Sequence, residues 1–184
     1  MMKRILLSVI VASAVAVSAM ATTPLWLRDV AISPDGQAIA FCYKGDIYRV
    51  ATGGGAAVQL TSQGSYECSP VWSPDGNSLA FASDRKGNFD ILVMPATGGQ
   101  PVQLTFNSAS ELPWAFSPDG KNIYFSAAIQ DAATSRLFPT GRLTELYQVP
   151  AAGGRTTRVL GTPAEMVCPD PQGKFLLYQD RKGM

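Results

Sequence analysis

Short apolar runs, three to six residues long, are separated along this chain by polar clusters rich in glycine, proline, aspartate and asparagine. The pattern is clearest from Pro70 to Thr105, where four runs stand out: Val71–Ser73, Ser78–Ser83, Phe89–Met94 and Val102–Thr105. Each is rich in Val, Ile, Leu, Phe or Ala, and none shows the 3.6-residue spacing of an amphipathic helix, so all four read as β-strands. The run DILVM inside the third is apolar almost without interruption, as expected of a strand covered on both faces. The separators are turns with their own chemistry. In SPDG, proline presets φ for a tight turn, serine and aspartate bond to nearby backbone, and glycine takes the left-handed position. The cluster ATGGQP bends the chain into the last strand.

The same phrase recurs. SPDG covers Ser33–Gly36, Ser73–Gly76 and Ser117–Gly120, and a degenerate DPQG covers Asp170–Gly173, with starts 40, 44 and 53 residues apart. That is the period of a repeat architecture. Four units follow, over about residues 30–61, 70–105, 114–160 and 167–184, the last of which stops early. An acid (Asp46, Asp90 or Glu145) precedes each third strand. The connection between second and third strands varies: 5 residues from Phe41 to Asp46, 9 from Phe81 to Asp90 and 20 from Phe125 to Glu145. The third unit thus carries an insertion at about Ala128–Arg142, with a turn at Phe138–Gly141 and a candidate helical turn at Asp131–Leu137. A small antiparallel sheet cannot bury both faces alone, and radial stacking into a β-propeller solves this. The expected fold is all-β: a partial propeller of four-stranded antiparallel blades, three units plus half of a fourth. A β-sandwich is the structural rival, but it requires no repeated phrase.

The N-terminus reads as a targeting segment. Lys3 and Arg4 precede the apolar or small run Ile5–Val17, and Ala19-Met20-Ala21 fits a signal-peptidase site. Residues 1–21 are therefore expected to be a signal peptide and 22–184 the propeller, exported to a periplasmic or extracellular setting with no membrane span after cleavage. Without Lys3 and Arg4, 13 basic side chains face 14 acidic ones, so the composition points to no nucleic acid partner. Cys42, Cys68 and Cys168 are an odd number, read as small buried thiols rather than a disulfide framework.

From Ser73 to Val93 and Gly98 to Thr105, the phrase SPDG…F-A-S-D-R-K-G-N-F-D-I-L-V…GG…LT is similar to the WD40-like repeat of the TolB and tricorn-protease propellers. Three further segments, Pro24–Gly36, Tyr43–Val50 and Phe125–Pro150, resemble exported tricorn-like serine peptidases of family S41. The resemblance implies an N-terminal propeller that gates or binds peptide, or contacts later domains of the same polypeptide. TolB-like proteins, which bind partner proteins of the cell envelope, are the alternative; the α/β domain they carry before the propeller has no counterpart here. The DRKG at Asp180–Gly183 repeats that of unit two without a following third strand, and the expectation is of a truncated chain.

Candidate chemistry is sparse. The chain has no histidine, so neither a Ser-His-Asp triad nor a histidine-ligated zinc site forms within it, and no GxSxG elbow is present. This disfavours an enzyme that uses the propeller as its active-site scaffold. No catalytic, cofactor or metal residue is assigned. Ser33, Ser73 and Ser117 lack a base. Asp35, Asp75 and Asp119 offer one carboxylate per turn, too few for calcium. Asp46, Asp90 and Glu145 are read as repeat-structural, with a central channel as the other option. Asp84-Arg85 and Asp180-Arg181 are read as local ion pairs in hairpins, and Gly53-Gly54-Gly55 as a hairpin rather than a phosphate loop. Trp72 is expected between blades. Trp114, two residues earlier relative to its turn, is the one candidate for a channel or rim, and Trp26 completes the set.

Overall fold

The computed structural model describes residues 26–129 and 144–180. The expected signal segment and nearly all of the insertion, with its turn and helical turn, lie outside them, as does Arg181. The described residues form strands and turns only. The first blade comprises β1 (Arg28–Ile32), β2 (Ala38–Tyr43), β3 (Asp46–Ala51) and β4 (Val58–Gln59). The second comprises β5 (Glu67–Trp72), β6 (Ser78–Ser83), β7 (Asp90–Pro95) and β8 (Val102–Gln103). The third comprises β9 (Glu111–Phe116), β10 (Asn122–Ala127), β11 (Glu145–Pro150) and β12 (Thr157–Pro163), and β13 (Glu165–Pro169) and β14 (Leu176–Gln179) begin a fourth. Each sheet is an antiparallel meander in chain order. This is the partial propeller expected from the repeat.

Strand β6 has the boundaries read from its sequence, and β7 starts one residue after the expected Phe89. The first strand of the second blade departs most, starting at Glu67 rather than Val71. A bulge explains the difference. The β5–β6 register shifts between Cys68 and Val71, and Ser69 inside the shift has φ 53°. Asp29 and Met166 hold the same place in β1 and β13, each with φ 51°. In β9 that place is Pro113, whose ring excludes positive φ. The irregularity moves on by one residue, to Trp114 between Pro113 and Ala115. The displaced bulge thus falls on Trp114 itself. In the first blade, β2 and β3 are joined by only Lys44 and Gly45, both at positive φ (54° and 87°), the geometry of a two-residue hairpin turn.

The core lies between blades. Ala40, Cys42 and Ile47 of the first blade pack on Leu79, Phe81, Leu92 and Met94 of the second. Ala80 and Ile91, on the opposite face of the second blade, pack with Ile123, Phe125, Tyr147 and Val149 of the third. Adjacent residues of β6 and β7 thus enter different cores, which is why DILVM is apolar without a break. Leu146 continues the stacking onto Ala164 and Val167 of the fourth blade.

Candidate functional site

The SPDG turns are self-contained hydrogen-bonded units. Ser73 Oγ donates to Asp75 Oδ1 (2.6 Å) and accepts from the Ser78 N–H (2.9 Å), while Asp75 Oδ1 also accepts from the Asn77 N–H (3.0 Å). Ser33–Asp35 and Ser117–Asp119 repeat the pattern. In all three turns the serine hydroxyl, then a backbone N–H, holds the aspartate below the usual carboxylate range. In the degenerate turn Asp170 takes the serine's place and accepts from the Gln172 and Lys174 N–H groups. Serines and aspartates are therefore occupied with one another, and among the described residues no group of three or more acidic or thiol side chains is placed to hold a metal.

The acids before the third strands also serve their own blades. Asp46 accepts from Gln59 Nε2 (3.0 Å) and Thr61 Oγ1 (3.4 Å), and Asp90 accepts from Gln103 Nε2 (2.8 Å). Glu145 accepts from the Tyr147 hydroxyl (2.8 Å) and pairs with Arg158 (3.4 Å). Each clasps the third strand to the segment that follows. Gly54 closes the β3–β4 hairpin by donating its N–H to the Ala51 carbonyl (2.9 Å).

Two expectations need correction. Asp84 and Arg85 do not pair with each other. Asp84 Oδ1 accepts from the Tyr66 N–H (2.7 Å), whereas Arg85 reaches Glu67 Oε1 (2.8 Å) and also donates through Nε to Ser83 Oγ (3.0 Å). The thiols are not uniformly buried either: Cys42 and Cys68 are, but Cys168 is exposed, and all three are free. Burial raises the Cys42 thiol and pushes that of Cys68 up to about 12.

Two carboxylates escaped the sequence reading altogether. Glu67 and Glu111 open β5 and β9, each six residues before the serine of an SPDG turn, and both are almost wholly buried. Their backbone N–H groups donate to Gly45 and Phe89 of the preceding blade (2.7 and 2.8 Å), so each stands at a seam. The shared offset from SPDG was the available signal.

The tryptophans separate by role. Trp72 Nε1 donates to the Ala31 carbonyl of the first blade (3.1 Å), and the Arg49 guanidinium lies 6.0 Å from its ring centre. Trp26 is 75% exposed under Arg28. Trp114 Nε1 donates to Ser126 Oγ (2.6 Å), which in turn donates to the Ala164 carbonyl (2.6 Å), tying the third blade to the fourth. With its N–H so used, Trp114 also forms one wall of a cavity of about 1000 Å³. Phe89, Leu112 and Ile129 supply further apolar wall, and Ser69, Ser108, Ser110 and Thr144 supply hydroxyls. Glu165, which accepts from Thr144 Oγ1 (2.9 Å), is the one charged residue among the described residues of this lining. The cavity therefore gathers β5, β9 and β13, the first strands of three blades, which pack on one another and so lie innermost, at the end opposite the SPDG turns. A second cavity, of about 650 Å³, lies at the turn end between Pro74 and Pro118. The first combines apolar wall with fixed polar groups, the usual make-up of a binding site.

Comparison with known proteins agrees with this architecture. A putative TolB from Agrobacterium tumefaciens superposes with a TM-score of 0.67 at 27% identity, over 84% of this chain and 55% of that one. TolB from Acinetobacter baumannii gives 0.68 at 22%, over 86% of this chain and 39% of that one. The tricorn protease gives 0.57 at 13%, over 78% of this chain and 18% of that one. The chain thus spans little more than half, or less, of the length of these structures. Residues 24–183 match the family described as the tricorn protease N-terminal beta propeller domain, and the chain belongs to that family.

Proposed function

We propose that this chain is a non-catalytic propeller scaffold of an exported, tricorn-like serine peptidase, and that it binds peptide, or a neighbouring segment of its own polypeptide, at the cavity beside Trp114. The observation that carries the reading is that cavity. It joins the innermost strands of consecutive blades, and its walls offer an aromatic face, aliphatic side chains and hydroxyls suited to an extended backbone. The family match supports a tricorn-type parent, and the leader-like residues 1–21 support export. Catalysis is assigned to other parts of the parent, because these 184 residues contain no histidine for a serine–histidine pair.

A second reading, an envelope protein-binding module of the TolB type, draws on the 27% identity to a putative TolB. Fluorescence anisotropy with labelled unstructured peptides separates the two. The proposal expects saturable binding that Leu112→Asp weakens at least tenfold. Binding of folded envelope proteins, with no peptide binding at any concentration, would reject it in favour of the TolB-type reading.

A further inference from the structure

We propose that the seam between the second and third blades is a proton-controlled joint, in which Glu111 and Asp90 occupy one buried site that loosens when both are ionised. The chain supplies its own control at the preceding seam. Glu67 and Glu111 hold equivalent positions, yet their surroundings differ. Glu67 Oε1 accepts from Ser65 Oγ (2.7 Å), Ser83 Oγ (3.2 Å) and the Arg85 guanidinium (2.8 Å). In the third blade, Ala127 stands where Ser83 does, as the strand pairing of each glutamate shows, and two residues on, Ile129 stands where Arg85 does. Among the described residues neither the hydroxyl nor the cation has a counterpart here, Arg136 and Arg142 falling outside them, but the carboxyl remains, 1% exposed.

Asp90 lies across the seam on β7 and is 3% exposed. Asp90 Oδ1 and Glu111 Oε2 are both buried without a hydrogen-bond partner. The other titratable groups on strands packed against β9 are Glu67 and Cys68 on β5, Tyr124 on β10, and Glu165 and Cys168 on β13. None is cationic. Two carboxylates in such a place cannot both keep their charge cheaply, and one retains its proton. Burial pushes Glu111 up to about 7, opposed by a hydrogen bond from Thr105 and helped to a smaller extent by the Asp90 charge, and burial raises Asp90 against a hydrogen bond from Asn88.

The consequence reaches the cavity. The Glu111 N–H bond to the Phe89 carbonyl fastens the seam, and Phe89, Ser110 and Leu112, the immediate neighbours of the two acids, all line the cavity. A seam that weakens on ionisation therefore changes the cavity wall. The joint stands whether or not that cavity takes peptide.

The sign is fixed by the raised value. The unfolded glutamate ionises near 4.5 and the folded one near 7, so the protonated form's stabilisation is complete below 4.5 and lost as the pH climbs to about 7. Taken over that interval, the folding equilibrium constant falls by up to about 300-fold and then levels off. Urea unfolding of the full chain between pH 4.5 and 8 tests this with wild type, Glu111→Gln and the double variant Ala127→Ser/Ile129→Arg. Glu111→Gln is expected to remove most of the fall, and the double variant, which rebuilds the surroundings of Glu67, to reduce it. Equal pH slopes in wild type and Glu111→Gln would overturn the proposal. Should the variants fail to fold, carbon-13 NMR of the wild-type Glu111 carboxyl decides: a midpoint near 7 supports the joint, and one at or below 4.5 overturns it.

Discussion

Replacing Arg85 with methionine tests how the first seam is held. The substitution keeps an unbranched stem of similar bulk and deletes the guanidinium. Glu67 is 0% exposed, and its Oε1 would keep only the Ser65 and Ser83 hydroxyls, while Oε2 already lacks a partner. Removing one partner of a buried ion pair costs about 3–5 kcal/mol, because the remaining charge stays desolvated. The Arg85 side chain is 15% exposed, so water relieves part of that penalty, and a loss of about 2–3 kcal/mol is expected. The assay is urea unfolding followed by tryptophan fluorescence, with Trp72 in the same blade as reporter. Glu67→Gln in the Arg85→Met background removes the stranded charge and should restore at least half of the loss. A single variant within about 0.5 kcal/mol of wild type, the range of ordinary surface changes, would refute the reasoning. So would a double variant no more stable than Arg85→Met.

Gly76→Ala should cost about 1 kcal/mol in the same assay, because Gly76 sits at φ 71° while its nearest neighbour, Pro34 Cδ, is a comfortable 3.9 Å from the added Cβ. The turn aspartates Asp35, Asp75 and Asp119 have lowered folded values, so their stabilisation is present above 3.8 and lost as the pH falls through those values. Acid titration followed by circular dichroism should show this loss reduced in a Ser33→Ala/Ser73→Ala/Ser117→Ala variant; an unchanged acid limb would contradict it. A thiol-reactive disulfide at pH 8 should modify Cys168 alone in the native chain and all three cysteines in urea, read by intact mass.

Local signals were legible in the sequence, and contacts between blades were not. Strand β6 was readable at both ends because SPDG precedes it and DRKG follows it. The first strands were cut short because a bulge at Ser69 and a proline at position 70 break the alternation that marks a strand, although the pairing to β6 continues through them. Glu67 and Glu111 drew no notice in the sequence, since a neighbouring blade buries them and the Ser83 and Arg85 partners of Glu67 lie 16 and 18 positions away. The Asp84-Arg85 pair failed for the same reason: each side chain answers to a partner outside its hairpin. Trp114 stood out in the sequence by its offset, but the bulge that falls on it beside Pro113 is visible only in the pairing of β9 with β10.

The functional claim is that peptide is held at the cavity of the innermost strands. Hydrogen–deuterium exchange of the chain with and without a saturating unstructured peptide tests it directly. The account predicts added protection in residues 107–114 and 126–129, which line the cavity beside Trp114. Protection confined to the Pro74 and Pro118 turns around the second cavity, or to the edge strands β4 and β8, would contradict it.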